Sequence, residues 1–394
     1  MTAVDQLTAA GWIERARSLE PVVRQHRDES EQQRRMAQAI FDAIRDAGFF
    51  EMLVPEALGG PNAAYEDYLR TVEEISRQDG SAGWNVMIWA AQGLFADYLP
   101  AETARELFRP NGGTLIAGAI NPTGRARPEA EGYRVTGRWS FASGCQYATW
   151  LIASCVVSDG EAPHFLENGQ PDLQAVLIPA SECRIVDTWQ SAGLRGTGSH
   201  DFEAEDVLVP RERAVPLHLF FTGPPAGSTP SYRISFYDLA SPSIAAIALG
   251  IARDAIESFR SLAANKTPAV GTMGLSSLHT VHDRVGRAEA LVRSARAYLY
   301  ETVREAVASV ADGQPVSEAT RVALRLAAAQ CPRSAIEAVD LVFDAAGGHS
   351  VYASSRLERC FRDVHMVTHH MMASPMNFEM VGQYLLGGPL LVRR

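Results

Sequence analysis

The chain has 394 residues, 46% hydrophobic and 21% charged, an ordinary composition for a globular protein of two or three domains. Its formal net charge of −10 argues against nonspecific nucleic-acid binding, which needs a surplus of Lys and Arg. No stretch approaches the ~18 uninterrupted apolar residues of a membrane span, and no basic-then-apolar leader opens the chain. The five cysteines are odd in number and lack any CxxC or metal-like spacing, so a reduced, cytoplasmic compartment is expected.

In chain order, the first 110 residues read as helical. Apolar residues recur at helical spacing over Trp12–His26, Glu31–Ala47 and Tyr65–Arg77. Ser81 can cap the next segment, which runs to Tyr98 and is apolar nearly all round, as a buried helix requires. Trp84 and Asn85 open that segment, where a core tryptophan is the plain reading. The period changes near residue 114. Short strands are expected at 114–120, 133–136, 150–157, 173–178, 183–187 and 201–208, separated by Gly, Pro and Asp, as in a small antiparallel sandwich or barrel. Asn121-Pro-Thr-Gly124 reads as a turn after the first strand. Residues 221–230 form the clearest linker. Helical patterns return at roughly 236–264, 276–312, 316–346 and 354–386, as in a packed bundle. The expected domains are 1–113, 114–220 and 221–394. No βαβ repeat and no GxGxxG after a strand occurs, which argues against a nicotinamide-binding fold in this chain.

Three stretches carry side chains suited to chemistry. Trp139-Ser-Phe141-Ala-Ser143-Gly144 offers flat apolar surface for a planar ring, and a hydroxyl beside a permissive backbone. A hairpin with an aromatic core plug accounts for it equally well. Arg195-Gly-Thr197-Gly-Ser199 can bring polar groups to a ring edge or a phosphate, or can be a plain glycine-rich connection. Arg359-Cys-Phe-Arg-Asp363-Val-His365-Met-Val-Thr-His369-His370-Met371 packs charges and histidines among apolar residues. Read as one helix, at about 100° per residue, it places Leu357, Cys360, Val364, Val367 and Met371 on a buried stripe, with His370 and Asp363 at its edge. His365 and His369 are spaced i, i+4, but no third ligand or HExxH glutamate accompanies them, so no metal site is expected. No GxSxG supports a serine hydrolase.

Together, in order and spacing, the Trp-Ser-Phe-Ala-Ser-Gly, Gly-Leu-Arg-Gly-Thr-Gly-Ser and Arg-Cys-Phe-Arg-Asp stretches resemble the acyl-CoA dehydrogenase fold over nearly the whole chain. That resemblance implies an α+β architecture: N-terminal helical domain, central antiparallel β-sandwich or barrel, C-terminal four-helix bundle. Acyl-CoA dehydrogenases of the commonest type place a glutamate base where this chain has Met371, and methionine cannot accept a proton. Arg-Asp-x-His-x-x-x-x-His, which runs from Arg362 to His370, together with Trp-Ser-Phe-x-Ser-Gly, resembles the flavin-dependent monooxygenases of this fold, the oxygenase components of two-component hydroxylases.

The resemblance implies dissociable reduced FMN or FAD from a separate NAD(P)H:flavin reductase, reaction with O2 through a C4a-hydroperoxyflavin, and hydroxylation of a small aromatic or heteroaromatic substrate. It places Ser143 near flavin N5, and His370 as the group that helps deprotonate the substrate. Trp139 and Phe141 would wall the flavin, and Arg195, Thr197 and Ser199 would border it. Trp84, Asn121 and Met371 would line the substrate side, and the assembly would be a homotetramer. The rival readings are an acyl-CoA dehydrogenase with a displaced base, and a catalytically idle binding or assembly homologue.

Overall fold

A computed structural model describes residues 9–108, 113–160, 162–225, 233–267, 273–311 and 313–390. Six helices come first: α1 (Ala9–Ser18), α2 (Glu20–Gln33), α3 (Gln38–Asp46), α4 (Tyr65–Gln78), α5 (Gly80–Phe95) and α6 (Ala101–Leu107). The periodicity over Trp12–His26 spans two helices that break at Leu19. Glu31–Ala47 is likewise interrupted, by Arg34 in the left-handed region. The cap of α5 is Asp79, whose carboxylate accepts the Ala82 N–H at 3.0 Å, rather than Ser81.

The strands are β1 (Ile116–Glu129), β2 (Gly132–Ala142), β3 (Trp150–Asp159), β4 (Ala162–Pro163), β5 (Leu173–Pro179), β6 (Arg184–Val186), β7 (His200–Pro210) and β8 (Ala214–Pro216). They form one sheet in the order β6-β7-β2-β1-β3-β5-β8, with β4 on β3. The sheet is mixed, not purely antiparallel: β1 and β3 run parallel. β2 takes one edge of β1 by a tight hairpin, so β3, which crosses back after β2, takes the other edge in the same direction. Asn121 lies inside β1, at the register shift between Ala119 and Gly124, not in a terminal turn.

The C-terminal helices are α7 (Leu219–Thr222), α8 (Phe236–Asn265), α9 (His279–Ser309), α10 (Glu318–Ala346), α11 (Arg356–Val367) and α12 (Met376–Leu385). Much of the linker expected over 221–230 lies outside the described residues. By length and composition α8 is apolar enough to cross a membrane, but 94% of its apolar window is buried inside the fold. It is the helix that α4, α5, α10 and α11 all pack against. The helical pattern over 354–386 is two helices, not one, and the break between them holds His370.

Candidate active site

Three elements converge at the seam between the sheet and the helices. α5 is buried on nearly every side, and a Cβ at Gly83 would come within 1.9 Å of the Ser76 hydroxyl, so the glycine permits the close approach of α4. Trp84 is thereby fixed, and its indole N–H donates to the Ser143 hydroxyl at 3.1 Å.

Ser143 sits past the end of β2. Gly144 follows at φ 72, where a Cβ would strike the Trp89 ring at 2.6 Å. Just before Ser143, Phe141 is held at φ 68 and is 72% exposed, an unusual conformation and an unusual exposure for an aromatic residue. Trp189 meets its ring edge-on at 6.2 Å.

Ser143, two residues after Phe141, starts a buried hydroxyl chain. Ser143 Oγ is 2.7 Å from Ser199 Oγ, Ser199 Oγ is 2.7 Å from Thr197 Oγ1, and Thr197 donates to the Leu194 carbonyl at 2.8 Å. An indole N–H can only donate, so Ser143 accepts from Trp84; Thr197 gives its proton to Leu194, so Ser199 gives its own to Thr197, and Ser143 gives its own to Ser199 unless a bound group takes it. The loop carrying Thr197 and Ser199 is pinned from two sides. Gly144 N donates to the Thr197 carbonyl at 2.9 Å, and Leu194 N donates to the Asp363 carboxylate on α11 at 2.6 Å.

Asp363 is fully buried, and burial pushes its carboxyl up to about 7. After Val367 the chain leaves the helix and turns at His370, whose backbone is extended. His370 Nδ1 accepts the Met372 N–H at 3.3 Å, and burial pulls its pKa down to about 4. A neutral ring whose Nδ1 accepts carries its proton on Nε2. The ring packs edge-on against Trp84, centroids 5.6 Å apart. Trp84 therefore touches both Ser143 and His370.

This architecture matches known proteins end to end. The models for the N-terminal and C-terminal domains of acyl-CoA dehydrogenases match residues 14–106 and 243–375. An indole-3-acetate monooxygenase of Pseudomonas putida is 31% identical over 361 residues, covering 91% of this chain and 89% of that one. The chain belongs to the acyl-CoA dehydrogenase-fold flavin-dependent monooxygenases, as an oxygenase component. The oxygenase component of an FADH2-dependent resorcinol hydroxylase from Rhizobium is 27% identical, over 91% of this chain and 90% of its own. The structure of XiaF from Streptomyces, in complex with FADH2 and glycerol, superposes with a TM-score of 0.89 at 23% identity, covering 98% of this chain and 97% of that one.

Within this oxygenase the structure brings Ser143, Ser199, Thr197, Trp84 and His370 together, with Phe141 two residues before Ser143 and exposed beside Trp189. Met371, 47% exposed, adjoins His370 and lies off the helical stripe on which the sequence put it. Trp139 does not wall a ligand. It is fully buried between the faces of the β domain, stacked on Phe202 at 4.9 Å, with its N–H on the Ser154 carbonyl. Alternation decides this: Phe141, two residues on, escapes the inward face only through its left-handed backbone. Arg195 turns toward α2 and its own loop, meeting the Glu31 carbonyl at 3.4 Å, the Ser191 carbonyl at 3.5 Å and the Glu31 carboxylate at 3.7 Å, so its side chain serves the loop. Asn121 is exposed on β1, and no described hydrogen bond joins it to the cluster. Asp363 is a tether for the 193–199 loop rather than a partner of His370. Trp189 and Asn85, the latter donating to the Gly196 carbonyl at 3.4 Å, join the site unannounced. Their only sequence signal was proximity, Asn85 beside Trp84 and Trp189 just before the glycine-rich loop.

Proposed function

We propose that this oxygenase hydroxylates an aromatic or heteroaromatic small molecule with O2, using FMN or FAD reduced by a separate NAD(P)H-dependent reductase. The observation that carries the reading is Trp84, held between the hydroxyl chain and His370. The residues fit a planar group with a polar edge. Phe141 offers exposed ring surface and Trp189 a half-buried ring beside it, the Ser143 proton is assignable to a ligand, and the buried Asn85 Oδ1 has no partner among the described residues. Bound reduced flavin supplies the electrons that activate O2 for transfer of one oxygen atom to an electron-rich ring.

The protein's part is positioning and exclusion of water. Phe141 covers the flat face, and Ser143 donates to the polar edge while Trp84 keeps its oxygen from turning away. His370 is neutral at physiological pH. Its Nε2–H makes it a hydrogen-bond donor to an oxygen of the substrate, in place of the base expected from its residue type, because the Met372 N–H occupies the lone pair on Nδ1. No carboxylate stands where acyl-CoA oxidation needs a proton acceptor, since the place is held by exposed Met371. Exposed Val351, Tyr352, Leu385 and Leu386 support assembly of several copies, as a homotetramer.

The test supplies the purified protein with anaerobically reduced FMN or FAD, admits O2, and measures oxygenated product and hydrogen peroxide across indoles and phenols. Product from at least one ring class is expected. Peroxide alone across the panel, with either flavin, overturns the reading.

A further inference from the structure

Arg325 on α10 is 1% exposed, and none of its three guanidinium nitrogens has a hydrogen-bond partner among the described residues. Its nearest carboxylate is Asp238 Oδ1 at 3.5 Å, which is itself unbonded. The other Asp238 oxygen is already taken by Arg321 Nε at 2.7 Å and the Ser235 hydroxyl at 2.8 Å. Two arginines thus share one buried aspartate, leaving a net positive charge in the interior. The guanidinium lies 5.3 Å from the centre of the Tyr237 ring, which supplies an apolar face and no acceptor. A buried guanidinium without hydrogen bonds is costly, and the cost is relieved by an anion that accepts them.

The position of this cation along α8 relates it to the reaction site. A Cβ at Gly80 would meet Ile251, and Tyr68, which donates to the Met87 carbonyl, lies beside Ser243. α5 therefore runs antiparallel to α8, with Met87 level with Ser243. Trp84 lies three residues to one side of that level and Asp238 five to the other, an axial separation of roughly 12 Å at 1.5 Å per residue. That is the reach of a bicyclic aromatic ring with a short acidic arm, plus a contact at each end. The 371–373 turn that follows His370 also packs on α8 and α10, the two helices that carry Asp238 and Arg325.

We propose that Arg325 receives a carboxylate on the substrate, so that the oxygenase acts on aromatic acids with the ring at Trp84 and His370 and the acid at α10. This rests on the monooxygenase reading and adds the class of substrate. A planar guanidinium binds a carboxylate through two parallel hydrogen bonds, which a neutral amide cannot match.

The experiment compares indole-3-acetate with indole-3-acetamide, by calorimetric binding to the protein and by oxygenation with reduced flavin. Wild type is expected to bind the acid at least 100-fold more tightly than the amide. Arg325→Met should lose at least 50-fold for the acid while the amide moves less than threefold. Arg325→Lys, which keeps the charge and loses the fork, should lose about tenfold for the acid. Melting curves accompany each variant, and the wild-type acid-to-amide ratio stands whether or not a variant folds. Equal binding and oxygenation of acid and amide by wild type, or equal losses for both ligands in a folded variant, overturns the assignment and leaves the monooxygenase reading intact. Oxygenation of neither, nor of any ring in the wider panel, overturns that reading and this inference with it.

Discussion

The Trp84 indole N–H donates to the Ser143 hydroxyl at 3.1 Å while the same ring abuts His370 at 5.6 Å. One side chain from the N-terminal helices thus orients a β-domain hydroxyl and buttresses a C-terminal imidazole. Each of the three structural regions contributes one residue to this contact, so the site exists only when all three are docked.

Trp84→Phe keeps the ring against His370 and removes the N–H. The Ser143 oxygen is then held by Ser199 alone. Loss of one hydrogen bond of about 1 kcal/mol corresponds to roughly fivefold. The ratio of oxygenated product to hydrogen peroxide should fall by about that factor, with little change in melting temperature. An unchanged ratio would show that Trp84 acts through packing alone.

Trp139 and Phe141 separate stability from ligand contact. Trp139→Ala opens a cavity in the β core and should cost about 3–5 kcal/mol in denaturant unfolding. Phe141→Gly removes an exposed ring and relieves a left-handed backbone that costs a non-glycine residue about 1 kcal/mol. It should unfold no more easily than wild type, yet bind reduced flavin about tenfold more weakly, the scale of one lost aromatic contact. A large stability loss in the Phe141 variant would place that ring in the core instead.

The order of domains and most helices was legible because apolar spacing reports burial directly. Trp139 shows where that signal stops. Residues 139–143 alternate as any strand does, and nothing in the letters reveals that Phe141 takes φ 68 and faces outward. The 354–386 pattern has the same limit. Apolar residues continue at helical spacing through Met371, but the chain breaks after Val367, and the break aims His370 at Trp84. The tether between Leu194 and Asp363 joins residues 169 positions apart, beyond the reach of any local pattern.

That tether is testable at Gly193. A Cβ there would lie 2.5 Å from the Arg362 carbonyl oxygen and 3.0 Å from Asp363 N, both backbone atoms that cannot step aside. Gly193→Ala should push the 193–199 loop off α11 and destabilise the protein by about 1–3 kcal/mol. The same shift displaces Thr197 and Ser199, so more hydrogen peroxide should escape per product formed. A variant that is destabilised yet fully coupled would show the hydroxyl chain to be independent of the loop's docking.

The pH dependence of stability sets His370 against Asp363. Folded His370 titrates at about 4 and the unfolded residue near 6.5, so between those values only the unfolded chain binds the proton. Its contribution is complete above pH 6.5 and is lost as pH falls toward 4. Asp363 runs the other way. Its carboxyl is raised to about 7 from 3.8, so the folded chain holds the proton through that window, and its contribution is lost as pH rises toward 7. The two slopes oppose each other between pH 4 and 6.5. His370→Gln should therefore melt with less loss on acidification from pH 7 to 5 than wild type, and Asp363→Asn with more. Parallel melting profiles for wild type and the His370 variant would mean that His370 titrates as an exposed histidine. The donor role of its Nε2–H would then lose its footing, because that role requires a ring that stays neutral wherever the enzyme is active.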